Sequence, residues 1–542
     1  MISQGLGRRR ALAIAVALLL TLMLAIIAAG YEGKRIAQVA LLALPPVLWL
    51  RLPLVSARWQ TVRLLTVSFL VGLFIVDGAM RAFLYTLYGA VPDSSLVLAA
   101  AANATPREAA EYASAHGVAL SVLAGGLALA LAASVLCIHI CNRHAEPLAR
   151  FERWLLAGLL LLGIAVLASK PWRSHHPLAF WPRWAQAVHT LQTAWSGQRQ
   201  HHEALLANAR AAAPAVVFPG PSTVVVVLTD SINRDNMSLY GYARTTTPHL
   251  SALQAEERGK FLTLRHAWSV EPATVASLSG LFSFGARDQD DPVGDTHHLL
   301  ALARAAGYRV WWMSNHDDTA IERQHAQLAD ALEMINREPG RSSSSLDGEL
   351  LDCLEEALLD PTPRKLIIVH LLGAHPHYRL RAPESLPHLP EADDVVDAQM
   401  LQDGRPAWLR SMRRSYDRAI GYHDTVVAQT LRLSRQHAKP DGHAAWMFLS
   451  DHGQEVGHTI SHAGHSPDTV AGYRIPALIW RSHANFGADV AQRPFRADWA
   501  GWTLADLMGL EWNAMAHDRN VLSDHYRWRA PTIQARVASF HQ

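Results

Sequence analysis

Cysteine is scarce in this chain, with three in 542 residues. Cys137 and Cys141 sit together at the end of an apolar run and Cys353 stands alone, so no disulfide framework can be read from them. The scarcity neither proves nor excludes an oxidising compartment. An excess of charge of one sign is missing too. Formal net charge is only +2, and the lysines and arginines are dispersed rather than clustered. A nucleic-acid footprint is therefore not expected.

What is present is divided in two. The first 170 residues are mostly Ala, Leu, Val and Ile, and the remainder reads like an ordinary soluble domain. Ala11–Ala29 is an uncharged run of 19 residues, enough to cross a bilayer at roughly 20 residues per span. Arg8-Arg9-Arg10 precedes it. A signal peptide shares that basic start but has an apolar core of only about 7–15 residues, so the segment reads as an uncleaved anchor. Further spans are expected at Ile36–Leu50, Leu64–Phe83, Val118–Ile140 and Trp154–Ser169. The second is short and carries Pro45-Pro46, which suits a kinked or interfacial segment.

Arg8–Arg10, then Arg51, Arg58 and Arg63, then Arg143, Arg150 and Arg153 fall in alternate loops. The positive-inside rule assigns those loops to the cytoplasm, and Lys34 and Arg35 oppose the bias only slightly. Five crossings then place everything after residue 170 outside. The expected organisation is a five-span α-helical transmembrane domain over 1–170, a juxtamembrane linker over 171–222 and an extracytoplasmic domain over 223–542.

Asp77 lies inside the third span, where an acid is a functional candidate by default. The alternative is an ion pair with Arg81, one helical turn on. In the outer loop, Thr105 and Glu108 fit a capping box with Pro106 at the first helical position. A substrate-facing role for Asn103, Thr105 and Glu108 is the competing reading. Trp172, Trp181, Trp184 and Trp195 in the linker suit either a membrane interface or packing beneath the soluble domain.

In the soluble half, Thr223–Leu228, Arg309–Met313, Lys365–Leu372, Ala445–Leu449 and Ile475–Trp480 are short apolar runs bounded by polar or turn residues. Helix-like stretches such as Asp295–Ala306 and Tyr416–His437 separate them. The alternation predicts an α/β sandwich with a mostly parallel sheet. Ligands of such sheets gather beyond the carboxyl ends of the strands. Three strands end in candidate ligands: Asp230 after the first, His370 and His375 where Leu366–Val369 of the third runs out, and Asp451-His452-Gly453 after the fourth. Carboxylates and imidazoles are the ligands zinc prefers. Singly, a strand-end aspartate is more often a helix cap; three such strand ends together favour a metal. Glu271-Pro-Ala-Thr274 reads as a loop entering a helix. A hydroxyl there, ionised by a bound cation, could attack phosphorus and leave a phosphothreonine. Thr274 as a plain N-cap is the alternative that spacing leaves open.

The segment from Asp230-Ser-Ile-Asn-Arg to Thr-Thr-Thr-Pro248 resembles the opening motif of bacterial phosphoethanolamine transferases, the sulfatase-like branch of the alkaline phosphatase superfamily. Thr274-Val-Ala-Ser-Leu, His370-Leu-Leu-Gly-Ala-His375, Tyr416-Asp417-Arg-Ala-Ile420, Ser450-Asp-His-Gly-Gln-Glu455 and Tyr473-Arg-Ile-Pro-Ala-Leu-Ile-Trp480 continue it in order. The resemblance implies a sulfatase-like domain with one or two Zn2+. Thr274 would be nucleophile and ligand, beside Asp230, Asp451 and His452. His375 and either His465 or His462 would contact the phosphoryl group or a second metal, His465 being preferred. It also implies phosphatidylethanolamine as donor, lipopolysaccharide as acceptor, a monomer in the bacterial inner membrane and catalysis in the periplasm.

Several positions depart from that family's pattern. Asp230 stands where Glu is common, Gln454 where Glu often follows Asp-His-Gly, and Glu271 and Gly280 lie where lipid A-modifying members carry a cysteine pair. Trp312-Met-Ser-Asn315-His316 looks closer to members that modify core sugars. Three rivals keep the architecture: a sulfate or phosphate ester hydrolase, a phosphoglycerol transferase, and a catalytically inactive lipid-binding membrane protein. Against the first, Thr274-Val-Ala-Ser lacks the Cys/Ser-x-Pro-x-Arg setting of classical sulfatases.

Overall fold

The computed structural model describes residues 2–88, 90–143, 149–169, 174–285, 296–316, 318–335, 345–387 and 394–541. The chain separates into two units, Met1–Ala102 with Tyr112–Leu191, and Asn103–Glu111 with Gln192–Gln542.

In the first unit a helix occupies each expected apolar segment: Ile2–Gly30, Lys34–Trp49, Ala57–Tyr88, Gly117–Arg143 and Arg150–Ala168. Among the described residues, four stretches are long and apolar enough to cross a membrane, namely Leu12–Gly30, Ala57–Thr86, Gly117–Arg143 and Arg150–Ala168. Lys34–Trp49 has 16 residues with Pro45 and Pro46 inside it. At roughly 1.5 Å per residue it reaches about 24 Å, short of the roughly 30 Å hydrocarbon core. Leu19, Val39, Val67, Val71 and Ile138 are buried between these helices, while Leu18, Phe69, Leu129 and Leu161 face outward. The first and third helices meet backbone to backbone, since a Cβ on Gly30 would lie 2.5 Å from the Gly78 carbonyl oxygen.

Asp77 is buried and fully engaged. Its carboxylate accepts from Arg81 Nε at 3.0 Å, from Tyr31 Oη at 2.5 Å and from Trp181 Nε1 at 3.0 Å. The ion-pair reading therefore holds and extends to a four-residue network joining helices Ala57–Tyr88 and Pro177–Ser196 to Tyr31, just past the end of the first helix. Trp184 donates to the Pro92 carbonyl at 2.7 Å. Trp195 is buried, and Trp172 lies outside the described residues.

The second unit is built on a seven-stranded sheet. In chain order its strands are β1 (Ser222–Thr229), β2 (Phe261–Thr263), β3 (Arg309–Ser314), β4 (Ala331–Met334), β5 (Arg364–Leu371), β6 (His443–Ser450) and β7 (Ala477–Arg481). Their spatial order is β2-β7-β6-β1-β5-β3-β4. The five strands from β6 to β4 are mutually parallel, and β7 pairs antiparallel with both β6 and β2. The five expected strands are all present; β2 and β4, of three and four residues, were too short to announce themselves.

Both faces of β1 are covered, which is why Val224–Leu228 reads as a continuous apolar run. Val224, Val226 and Leu228 pack with Leu278, Phe282 and Leu300 on one face. Val225 and Val227 pack with Tyr416, Ile420 and Val427 on the other. Helix Arg199–Ala212, in the expected linker, buries Leu205 and Ala209 in the first of these clusters. Parallel pairing brings the carboxyl ends of β1, β3, β5 and β6 to one rim of the sheet, where the candidate ligands follow.

Candidate metal and nucleophile site

Asp230 follows β1 and Asp451 follows β6, its neighbour, so the two carboxylates meet at the rim. The register pairs Thr229 with Ser450, and the Asp451 amide donates to the Thr229 carbonyl at 3.0 Å. Asp451 Oδ1 accepts from the amides of Ser231 at 3.1 Å and His452 at 2.6 Å. Ser231 adopts a left-handed conformation, φ 62°, turning the chain away immediately after Asp230. Neither aspartate is merely a helix cap: the next helical turn is capped by Asn233, whose side chain accepts from Asp235 N.

Thr274 is the first residue of the helix Thr274–Phe282, and the cap position belongs to Ala273. Its hydroxyl is aimed into the site instead. Oγ1 donates to Asp230 Oδ2 at 3.0 Å and lies 3.3 Å from His452 Nε2. Just behind it, Ser269 and Ser277 both donate to the Asp451 carbonyl, at 2.7 and 2.5 Å. These bonds tie helix Thr274–Phe282 to the Asp451-His452 turn.

Ligand atoms of Asp230, Asp451 and His452 all lie within 4.8 Å of one another. Asp230 Oδ1 and Asp451 Oδ2 are buried without a hydrogen-bond partner. Burial pushes the Asp451 carboxyl upward, and the Asp230 charge adds to that push. Burial also opposes the Asp230 charge, but His375, His452 and His316 more than offset it and hold its carboxyl well below the usual range. Two buried carboxylates with bare oxygens facing a bare imidazole nitrogen fit a divalent cation, and zinc accepts this donor set.

Around this centre stand more histidines. The His465 and His452 rings are 4.5 Å apart. His462 is a step removed, donating from Nε2 to the His465 carbonyl at 3.1 Å. The His375 ring stands edge-on to His316, centroids 6.0 Å apart, and burial lowers its pKa to about 3, so it is neutral. His316, after β3, was not picked out as a site residue from sequence. Its Nε2 lies 3.9 Å from Asp230 Oδ2, and its ring stacks on His370 at 4.3 Å. His370 itself belongs to the layer beneath, bonded through Nδ1 to Ser314 Oγ at 3.0 Å.

The segment Asn103–Glu111 also belongs to this unit. Thr105 and Glu108 form the capping box: Thr105 N donates to Glu108 Oε2 at 2.9 Å and Glu108 N to Thr105 Oγ1 at 3.2 Å. Asn103 Oδ1 accepts from Ala320 N at 3.0 Å. Glu111, which sequence reasoning passed over, pairs with Arg381 at 2.8 Å, and Arg381 Nε donates to the His375 carbonyl at 3.3 Å.

Residues 222–509 match the model of the sulfatase family. Phosphoethanolamine transferase EptC of Escherichia coli K12 is 29% identical over 329 residues, covering 57% of this chain and 54% of that protein. The chain thus spans about half the length of the curated relatives it matches. The crystal structure of the C-terminal periplasmic domain of EptC from Escherichia coli, a zinc complex, superposes with a TM-score of 0.52 at 29% identity, over 57% of this chain and 88% of that one. The integral membrane protein lipooligosaccharide phosphoethanolamine transferase A from Neisseria meningitidis shares the fold, with a TM-score of 0.60 at 17% identity, over 94% of this chain and 98% of its own.

Proposed function

The chain belongs to the sulfatase family, and we propose that it is a membrane-anchored, zinc-dependent phosphoethanolamine transferase. The observation that carries this reading is the Thr274 hydroxyl, 3.0 Å from Asp230 and 3.3 Å from His452 beside two partnerless carboxylate oxygens. Asp230, Asp451, His452 and Thr274 Oγ1 would hold the zinc, whose charge favours ionisation of an adjacent hydroxyl. The proposed donor is phosphatidylethanolamine and the proposed acceptor lipopolysaccharide, at a core sugar or lipid A. The placement that goes with it is the bacterial inner membrane, with the second unit in the periplasm.

Thr274 Oγ1 attacks phosphorus of the donor phosphodiester, and the bond from phosphorus to the diacylglycerol oxygen breaks. The departing alkoxide takes up a proton, balancing the one lost from the threonine hydroxyl. Asp230 Oδ2, 3.0 Å away, accepts the hydrogen bond of that hydroxyl and orients its oxygen for attack. The helix amides behind Thr274 present positive potential to the phosphoryl oxygens. His375 and His465, buried and neutral, offer N–H donors to the same oxygens without carrying charge of their own. In the second half, an acceptor hydroxyl or phosphate attacks the phosphothreonine and regenerates Thr274.

Mass spectrometry of lipopolysaccharide from cells with and without the protein tests the reading. A gain of one phosphoethanolamine group, mapped to core or lipid A, is expected. Unchanged lipopolysaccharide in cells that make the folded protein would count against the acceptor.

A further inference from the structure

We infer that Asp347 is a positioning residue for this site: its carboxylate joins two histidine-bearing strand ends and sets His316 and His375 against Asp230. The inference rests on the reading of that site as a phosphoryl-transfer centre.

Asp347 is 5% exposed and opens the short helical turn Asp347–Glu349, yet its carboxylate caps nothing there. Oδ1 accepts from the Leu372 amide at 2.8 Å and from Asn315 Nδ2 at 2.8 Å. Oδ2 accepts from the Gly373 amide at 2.9 Å. His423 Nδ1, on the long helix Ala407–Gln436, stands 3.6 Å from the same oxygen. Leu372 and Gly373 are the first residues beyond β5, and Asn315 is the first beyond β3. One buried anion therefore holds both chain exits, and charge-assisted bonds of this kind are the strong ones.

The opposite side of the turn is gripped by the site itself. The Ala374 amide donates to the Asp230 carbonyl at 3.0 Å. Gly373 has φ 58°, and a Cβ there would lie 2.5 Å from the Asp230 carbonyl oxygen. The turn is pressed between Asp347 and the Asp230 backbone, and His375 leaves it two residues later. On the other arm, Asn315 N donates to the His370 carbonyl at 3.0 Å, and His316 Nε2 donates to the Leu371 carbonyl at 3.2 Å. His316 is thus carried on the residue that Asp347 fixes. Thr274, Asp451 and His452 have no bond to Asp347, and Asp230 receives the Ala374 bond at its backbone carbonyl rather than at its carboxylate, so loss of the Asp347 carboxylate disturbs the histidines while the ligand side chains keep their own contacts.

The test uses the full-length protein in detergent, as wild type, Asp347→Asn, His375→Ala and the double variant. Asn keeps the volume of Asp347 but cannot accept from all three donors. The first readout is hydrogen exchange over residues 314–316 and 370–375; the second is zinc per chain. The third is kcat and KM with labelled phosphatidylethanolamine. Asp347→Asn should raise exchange at Leu372 and Gly373 at least about tenfold and leave zinc unchanged. It should lower kcat roughly 10–100-fold, the usual scale for a support residue, with KM within about twofold. In the double variant the two losses should combine to less than their product, because His375 is one of the two groups through which Asp347 acts. Unchanged exchange, or losses that simply multiply in the double variant, would overturn the inference. A wild type that ignores the labelled lipid would instead sink the functional reading, while the exchange result still decides whether Asp347 holds the turn.

Discussion

His452 donates its Nδ1 proton to the carbonyl of Gly453 at 2.8 Å. A carbonyl can only accept, so the imidazole tautomer is set by its own neighbour in the chain, and Nε2 is left bare toward Thr274 and Asp451. The Asp451-His452-Gly453 turn therefore supplies a carboxylate, an imidazole lone pair and the group that orients it.

Zinc binding should weaken as pH falls. The Asp451 carboxyl is raised by burial and by the Asp230 charge, so in the metal-free protein it takes up a proton at higher pH than an ordinary carboxylate. The metal must displace that proton. Zinc titrations across a pH series should show affinity declining through the acid side of neutrality, with proton release on binding. In Asp451→Asn that proton release should disappear and affinity should drop at every pH. Affinity independent of pH in the wild type would contradict this.

Gly373→Ala should damage the site without replacing a proposed ligand. Its φ of 58° strains any L side chain, and the new Cβ would press on Thr229 and on the Asp230 backbone. The strained conformation alone costs about 1–3 kcal/mol. A lower melting temperature together with a loss of turnover beyond the folded fraction is expected. Wild-type values for both would show that the turn yields freely.

Asp77→Ala tests the membrane unit separately. It strips the Arg81 guanidinium of its buried partner and leaves Tyr31 and Trp181 without an acceptor. Breaking a buried pair costs about 3–5 kcal/mol. Thermal unfolding in detergent should shift down accordingly, while turnover per folded molecule persists. A selective loss of turnover at unchanged stability would give Asp77 the functional role instead.

Much of this architecture was legible because its signals are local. Val224–Leu228 announces a strand buried on both faces, and parallel pairing then sends Asp230 and Asp451 to the same rim. The capping box at Thr105 and Glu108 is likewise a matter of three-residue spacing. What sequence could not settle depended on side-chain direction or on strand order. Thr274 reads equally well as a cap or as an aimed hydroxyl until Ala273 is seen in the cap position. His462 and His465 differ only in which ring turns toward His452. His316 stood out only as part of the Trp312–His316 motif and Asp347 gave no signal, because the neighbours that place them at the site come from strands and turns far away in the chain. The Arg381–Glu111 pair joins residues 270 apart, a separation no periodicity reports.

The most direct test is mass spectrometry of the intact site after incubation with phosphatidylethanolamine and no acceptor. The account predicts one phosphoethanolamine group on the peptide that carries Thr274, absent in Thr274→Ala, with turnover in that variant reduced at least about 10³-fold. Turnover at the wild-type rate in Thr274→Ala, or the group recovered on a different residue, would contradict it.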